Sequence, residues 1–132
     1  MKKALRKLVE GEHIELPTAC TAALEKKFKK AQNIEWQQVN TNFEAIFYQE
    51  NLEFIALFKA NGKLIEYRKN LPEGYLPIAI KKLVPEKGEV MDRVLVNRGN
   101  ELFYELIYRD KALNRFILMI SDVGQIISHS AL

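Results

Sequence analysis

The strongest constraint on the fold is that the chain repeats itself. Leu16-Pro17 returns as Leu76-Pro77 at an offset of 60, and Phe43-Glu44-Ala45-Ile46-Phe47 returns as Tyr104-Glu105-Leu106-Ile107-Tyr108 at 61. Phe54-Ile55-Ala56-Leu57-Phe58 then matches Phe116-Ile117-Leu118-Met119-Ile120 at 62, as does Gly62-Lys63-Leu64-Ile65 with Gly124-Gln125-Ile126-Ile127. Two single-residue insertions in loops, where they are best tolerated, account for the drift. Whatever the first half folds into, the second half must be able to repeat.

Each half opens on a helical pattern and continues as strands. From Pro17 to about Ala31, Cys20, Ala23, Leu24, Phe28 and Ala31 make one apolar stripe, and Pro17 suits a first helical turn, where a missing N–H costs nothing. A shorter stripe of Leu76, Ala79, Ile80, Leu83 and Val84 follows Leu76-Pro77 and is stopped by Pro85 and Gly88. Met1 to Val9 reads as a short third helix or a frayed end. Short aromatic and β-branched runs over 34–39, 42–49, 52–59 and 63–69 predict four strands, and 88–97, 101–109, 114–121 and 125–130 predict four more. Asn61-Gly62 is the clearest hairpin signal among them.

The expected fold is therefore α+β. It is a tandem repeat of helix plus four antiparallel strands, joined in one curved eight-stranded sheet with both helices on one face. Residues 1–132 form a single domain of two repeats, about 16–70 and 76–130, after an N-terminal extension 1–15. On that face Phe43, Phe47, Phe103 or Tyr104, and Phe116 pack on Leu24, Phe28, Ile80 and Leu83. At roughly 25 cal/mol per Å² of buried apolar area, this is worth several kcal/mol. Two helices cannot cover both sides of eight strands, so the opposite face stays open. The two-residue period turns Phe43, Ala45 and Phe47 to the helices and Glu44, Ile46 and Tyr48 outward. In the next strand Phe54, Ala56 and Phe58 oppose Ile55 and Leu57.

Composition excludes much. With 48% apolar and 28% charged residues the chain is too apolar for intrinsic disorder, and it has no apolar run long enough for a transmembrane helix. A single cysteine, Cys20, rules out an internal disulfide and a Cys-rich zinc site, and its place in the helical stripe marks it as a buried, inert thiol. His13 and His129 lie far apart with no ligand spacing around them and read as surface residues. There is no GxSxG, phosphate loop or paired metal-ligand motif, so no enzyme class, cofactor or metal is indicated. The +3 net charge sits in the first 30 residues, with eight basic against four acidic. Lys2, Lys3, Arg6 and Lys7 form one cluster. Lys26, Lys27, Lys29 and Lys30 form another, where a helix end favours cations. Without a stronger basic stripe or a reading motif, nucleic acid is not the partner. Met1 to Glu10 lacks the apolar core of an export signal, so the sequence as written reads as cytoplasmic, or as a periplasmic protein whose signal has been removed.

The ordered set Ala31-Gln32-Asn33-Ile34-Glu35-Trp36, Phe43-Glu44-Ala45-Ile46-Phe47, Phe58-Lys59-Ala60-Asn61-Gly62-Lys63-Leu64 and Leu76-Pro77 resembles the PepSY-like group of β-lactamase-inhibitor-like proteins, from about Leu16 to Ile127. The resemblance implies a fold like that of the β-lactamase inhibitor proteins (BLIP-like), with tandem repeats in one sheet, and an exported protein that binds or inhibits another. The second repeat departs from the pattern: it lacks the Ile-x-Trp signature and has a shortened helix. Fold likeness does not carry β-lactamase inhibition with it.

The reading that follows is a non-enzymatic module that binds a protein or peptide, inhibition being one form of this, on its open sheet face. The candidate binding residues are Tyr48, Tyr67, Tyr108, Glu44, Glu105 and Ile46. Tyrosine offers large contact area with few rotatable bonds, and Glu44 and Glu105 hold matching repeat positions that could flank a groove. Trp36 is assigned to the core under the first helix. The alternatives are self-association, with Ile46, Ile55 or Leu57 closing over another copy as in a homodimer, and a small-ligand carrier, which needs a deep pocket.

Overall fold

The computed structural model describes residues 14–86 and 88–132. The first basic cluster, His13 and the suggested N-terminal helix lie outside them. Helix α1 (Thr18–Lys27) leads into strands β1 (Gln32–Val39), β2 (Asn42–Gln49), β3 (Leu52–Phe58) and β4 (Leu64–Asn70). Helix α2 (Ile78–Lys81) leads into β5 (Glu89–Arg98), β6 (Glu101–Arg109), β7 (Arg115–Ser121) and β8 (Ile126–Ala131). The strands stand in chain order in an antiparallel sheet, the α+β class expected. The chain divides into two compact units, one ending at Arg68 and the other running from Lys69 to Leu132.

In the first unit α1 is shorter than the apolar stripe suggests. Its last turn closes on the bond from the Phe28 amide to the Leu24 carbonyl, and Phe28 then leaves the helical region at φ −119°. Phe28 still packs inward, its ring 4.9 Å from Phe47 and 5.8 Å from Phe54. The buried set is Cys20, Leu24 and Phe28 against Trp36, Phe43, Ala45, Phe47, Phe54, Ala56 and Phe58, so the period-two assignments on β2 and β3 hold. Trp36 is 1% exposed and tilts on Phe58. A two-residue turn with both φ positive, Glu50 at 55° and Asn51 at 67°, joins β2 to β3 and matches the right-handed strand twist. Asn61-Gly62 turns β3 into β4, with the Asn61 side-chain oxygen accepting from the Lys63 amide.

In the second unit α2 is a single turn. Leu76, Ile80 and Val84 cover Leu106, Tyr108, Leu118 and Ile120, with Tyr104 and Phe116 beside them. Of the two candidates for that face it is Tyr104, not Phe103, that meets the helix, because Tyr104 opposes Ile120 and Phe103 opposes Ser121. Phe103 belongs to a separate buried cluster with Val94 and Val96. Both units carry a register shift in their first strand, between Gln32 and Glu35 and between Val90 and Asp92.

Candidate binding surface

The face of the first unit turned away from α1 is built by alternation. With Phe43, Ala45 and Phe47 committed to the core, β2 must present Glu44, Ile46 and Tyr48 on the other side. The ladders place their neighbours. Ile46 stands between Glu35 of β1 and Ile55 of β3, Glu44 between Gln37 and Leu57, and Tyr48 opposite Glu53. Gln37 donates from Nε2 to Glu44 Oε1. On β4, Tyr67 goes to the core side, so Glu66 and Arg68 take this face, where they form an ion pair at 3.7 Å. The result is an apolar centre of Ile46, Ile55 and Leu57, half-buried by their neighbours, with Tyr48 43% exposed at its edge and carboxylates around it. Among the described residues of this unit, no helix lies on it.

Two of the candidate tyrosines are elsewhere. Tyr67 packs edge-on against Phe28 at 5.3 Å and tilts on Phe54, on the α1 side of the sheet, with the Lys27 ammonium 5.9 Å from its ring centre. Tyr108 is 3% exposed, stacks on Phe116 and shares a 2.6 Å hydrogen bond with His129 Nε2. Burial pushes its phenol pKa up, helped by the nearby Asp110 charge. Both are corrected from the open face to the core. Their rings supply apolar area that the helices need, and on β6 the period that sends Tyr108 inward sends Glu105 to the other face.

Glu105 lies between Val94 and Met119 on the side of the second unit away from α2. That side is not bare. Val96 is fully buried opposite Phe103, and the Arg98 guanidinium sits 5.3 Å over the Phe103 ring. A cleft of about 510 Å³ beside them is lined by residues including Arg98, Asn100, Glu101, Phe103, Met119 and Ile127.

Sequence reasoning missed Glu35, Glu53 and Glu66 on the first unit's face. The signal was present for Glu35, since placing Trp36 in the core turns both its neighbours outward. The described residues hold no group of three or more His, Cys, Asp or Glu able to take a metal ion. None of their helices is long and apolar enough to cross a membrane. His129 is exposed as expected, with its ring held by Tyr108. Cys20 is buried, its Sγ donating to the Lys59 carbonyl at 3.3 Å. Burial raises the thiol pKa, partly offset by the Gly62 amide. Labelling of Cys20 by a disulfide reagent at neutral pH is expected to run at least ~100-fold slower in the native protein than in denaturant, because neither thiolate nor access is available. Equal rates would contradict this burial.

No known family model and no curated protein matches the chain. Solved structures do. A BLIP-like protein from Bacteroides fragilis superposes with a TM-score of 0.83 at 20% identity, covering 93% of this chain and 91% of its own. A DUF2874 family protein from Bacteroides uniformis gives 0.79 at 16% identity, over 87% and 88% of the two chains. A candidate periplasmic protein from Bacteroides eggerthii gives 0.79 at 14% identity, over 89% and 90%. At these identities the likeness shows the fold alone, and that fold is BLIP-like.

Proposed function

We propose that the chain is a non-enzymatic module that binds a protein or peptide through the sheet face turned away from α1, with Tyr48, Ile46 and Glu44 in the contact and Glu105 on the corresponding face of the second unit. The observation that carries this reading is the Ile46, Ile55 and Leu57 patch with the exposed Tyr48 at its edge. An apolar centre inside a polar rim is the anatomy of a docking surface, and among the described residues no helix of its own unit lies on it. The name of the Bacteroides fragilis neighbour adds inhibition as one form such binding takes. Membership of the PepSY-like group and descent from one duplicated helix-plus-four-strand unit belong to the same reading, the latter supported by the register shift in the first strand of each unit. So does a periplasmic location, supported by the Bacteroides eggerthii neighbour.

The test is capture from native extract with the full chain. A specific partner should be held by the wild type and by an Ile78→Asp control on α2. The Ile46→Asp/Tyr48→Ala variant should lose it by about tenfold or more, as expected when a charge is placed at the apolar centre and the tyrosine at its edge is removed. Far-UV circular dichroism and a thermal melt establish that the variant is folded. Undiminished capture by the folded double variant would reject this surface.

A further inference from the structure

The same face of the first unit is distinctive in its charge. Within its four strands the side chains turned away from α1 include Glu35, Glu44, Glu53 and Glu66 and one cation, Arg68, whose guanidinium lies 3.7 Å from Glu66. The carboxylates alternate with the apolar residues: Glu35 beside Ile46, Glu44 beside Leu57, Glu53 beside Tyr48. Gln37, a neutral donor, engages Glu44 and leaves its charge in place. The α1 side has the opposite sign, with Lys26, Lys27, Lys29 and Lys30 clustered at the helix end and the chain as a whole at +3. An acidic rim around an apolar centre, on a chain whose net charge is positive, is a local feature that global charge does not produce.

We infer that the occupant of this face is a cationic, apolar protein segment, one that interleaves Lys or Arg with aliphatic side chains. The inference rests on the binding reading above and adds the chemistry of the partner. Apolar side chains of the segment cover Ile46, Ile55 and Leu57, while its cations meet Glu35, Glu44 and Glu53 at the rim. There ion pairs steer encounter and select the partner more than they add affinity. An acidic segment is rejected by like charge.

The experiment uses the full chain and three labelled ten-residue peptides, alternating Lys with Val, Lys with Ser, and Glu with Val, followed by fluorescence anisotropy. The net +3 charge of the protein opposes non-specific uptake of a cationic peptide, so binding reports the face. Saturable binding of the Lys/Val peptide is expected, weakening as salt rises, with the Lys/Ser and Glu/Val peptides much weaker. The Glu35→Gln/Glu44→Gln/Glu53→Gln variant should bind Lys/Val about tenfold more weakly, with a flattened salt dependence, while far-UV circular dichroism and a cooperative melt show that it is folded. The inference is overturned if Lys/Val does not saturate, if the glutamine variant binds it as tightly as the wild type, or if Glu/Val competes equally. It is also overturned if sedimentation shows the wild type associating with itself through these glutamates, which would make a second copy the occupant. A natural partner lost on Ile46→Asp/Tyr48→Ala but kept by the glutamine variant leaves the docking surface standing and removes only its cationic assignment.

Discussion

Phe47→Ala is expected to destabilise the protein by about 3–5 kcal/mol, the range for removing a fully buried aromatic ring. Phe47 has no exposed surface. Its ring lies 4.9 Å from Phe28, just past the end of α1, and stacks at 5.4 Å on Phe54 of β3. Losing it leaves a cavity that the helix and strands cannot jointly close. Since a domain holds only some 5–15 kcal/mol in total, this is roughly a fifth or more of the stability available. The measurement is urea unfolding followed by fluorescence of Trp36, the single tryptophan, which is buried in the same core and reports the first unit directly. Ile55→Ala, on the other face of the same ladder, should cost about 1 kcal/mol, as its half-exposed side chain already keeps part of its contact with water. Equal losses from the two variants would mean that burial is not one-sided, and the docking reading would lose its basis.

The one-sidedness was legible in the sequence wherever strand alternation was clean. Strand β2 has the residue limits its pattern predicts, and both its faces are as read, because Phe43, Ala45 and Phe47 contrast sharply with Glu44 and Tyr48. Strand β4 offers no such contrast. Leu64, Glu66 and Arg68 alternate with Ile65, Tyr67 and Lys69, two mixed faces, so only the packing of Tyr67 on Phe28 decides between them. Tyr108 is a different case, since the internal match already aligned it with Phe47 and so placed it under a helix; its hydroxyl suggested a contact residue, but His129 satisfies that hydroxyl inside the unit. The missing Ile-x-Trp signature also has a physical counterpart. Ladder register gives Trp36 the partner Ala45, and the residue aligned with Ala45, Leu106, is opposed by Arg93. Arg93 donates to the Leu71 and Val90 carbonyls, so a side chain that ties down the segment after β4 and the start of β5 stands where the first unit has an indole. The buried Val94, Val96 and Phe103 cluster was not legible, because a strand that buries apolar residues on both faces carries no period by which to assign them.

The turn between β3 and β4 offers the second large effect, with its control built into the chain. Gly62 has φ +90°, and a Cβ there would stand 2.7 Å from the Ala19 carbonyl oxygen of α1. That oxygen is backbone, so the helix itself must move to admit a methyl group. Gly124, its counterpart in the internal match, has φ +89° with nothing within 4 Å. Gly124→Ala should therefore cost only the conformational strain, about 1 kcal/mol, and Gly62→Ala that strain plus the displaced helix, about 2–4 kcal/mol. The difference isolates the approach of the turn to α1. A second readout follows from Cys20, whose Sγ donates to the Lys59 carbonyl in the same turn and is reached by the Gly62 amide. Moving the helix breaks that contact, so native-state labelling of Cys20 should accelerate in Gly62→Ala and stay unchanged in Gly124→Ala. Equal destabilisation by the two substitutions, with Cys20 still protected in both, would show that the turn does not hold the helix. The clamp that commits Phe54, Ala56 and Phe58 to α1, and so leaves Ile55 and Leu57 on the docking face, would then have to lie in the aromatic core alone.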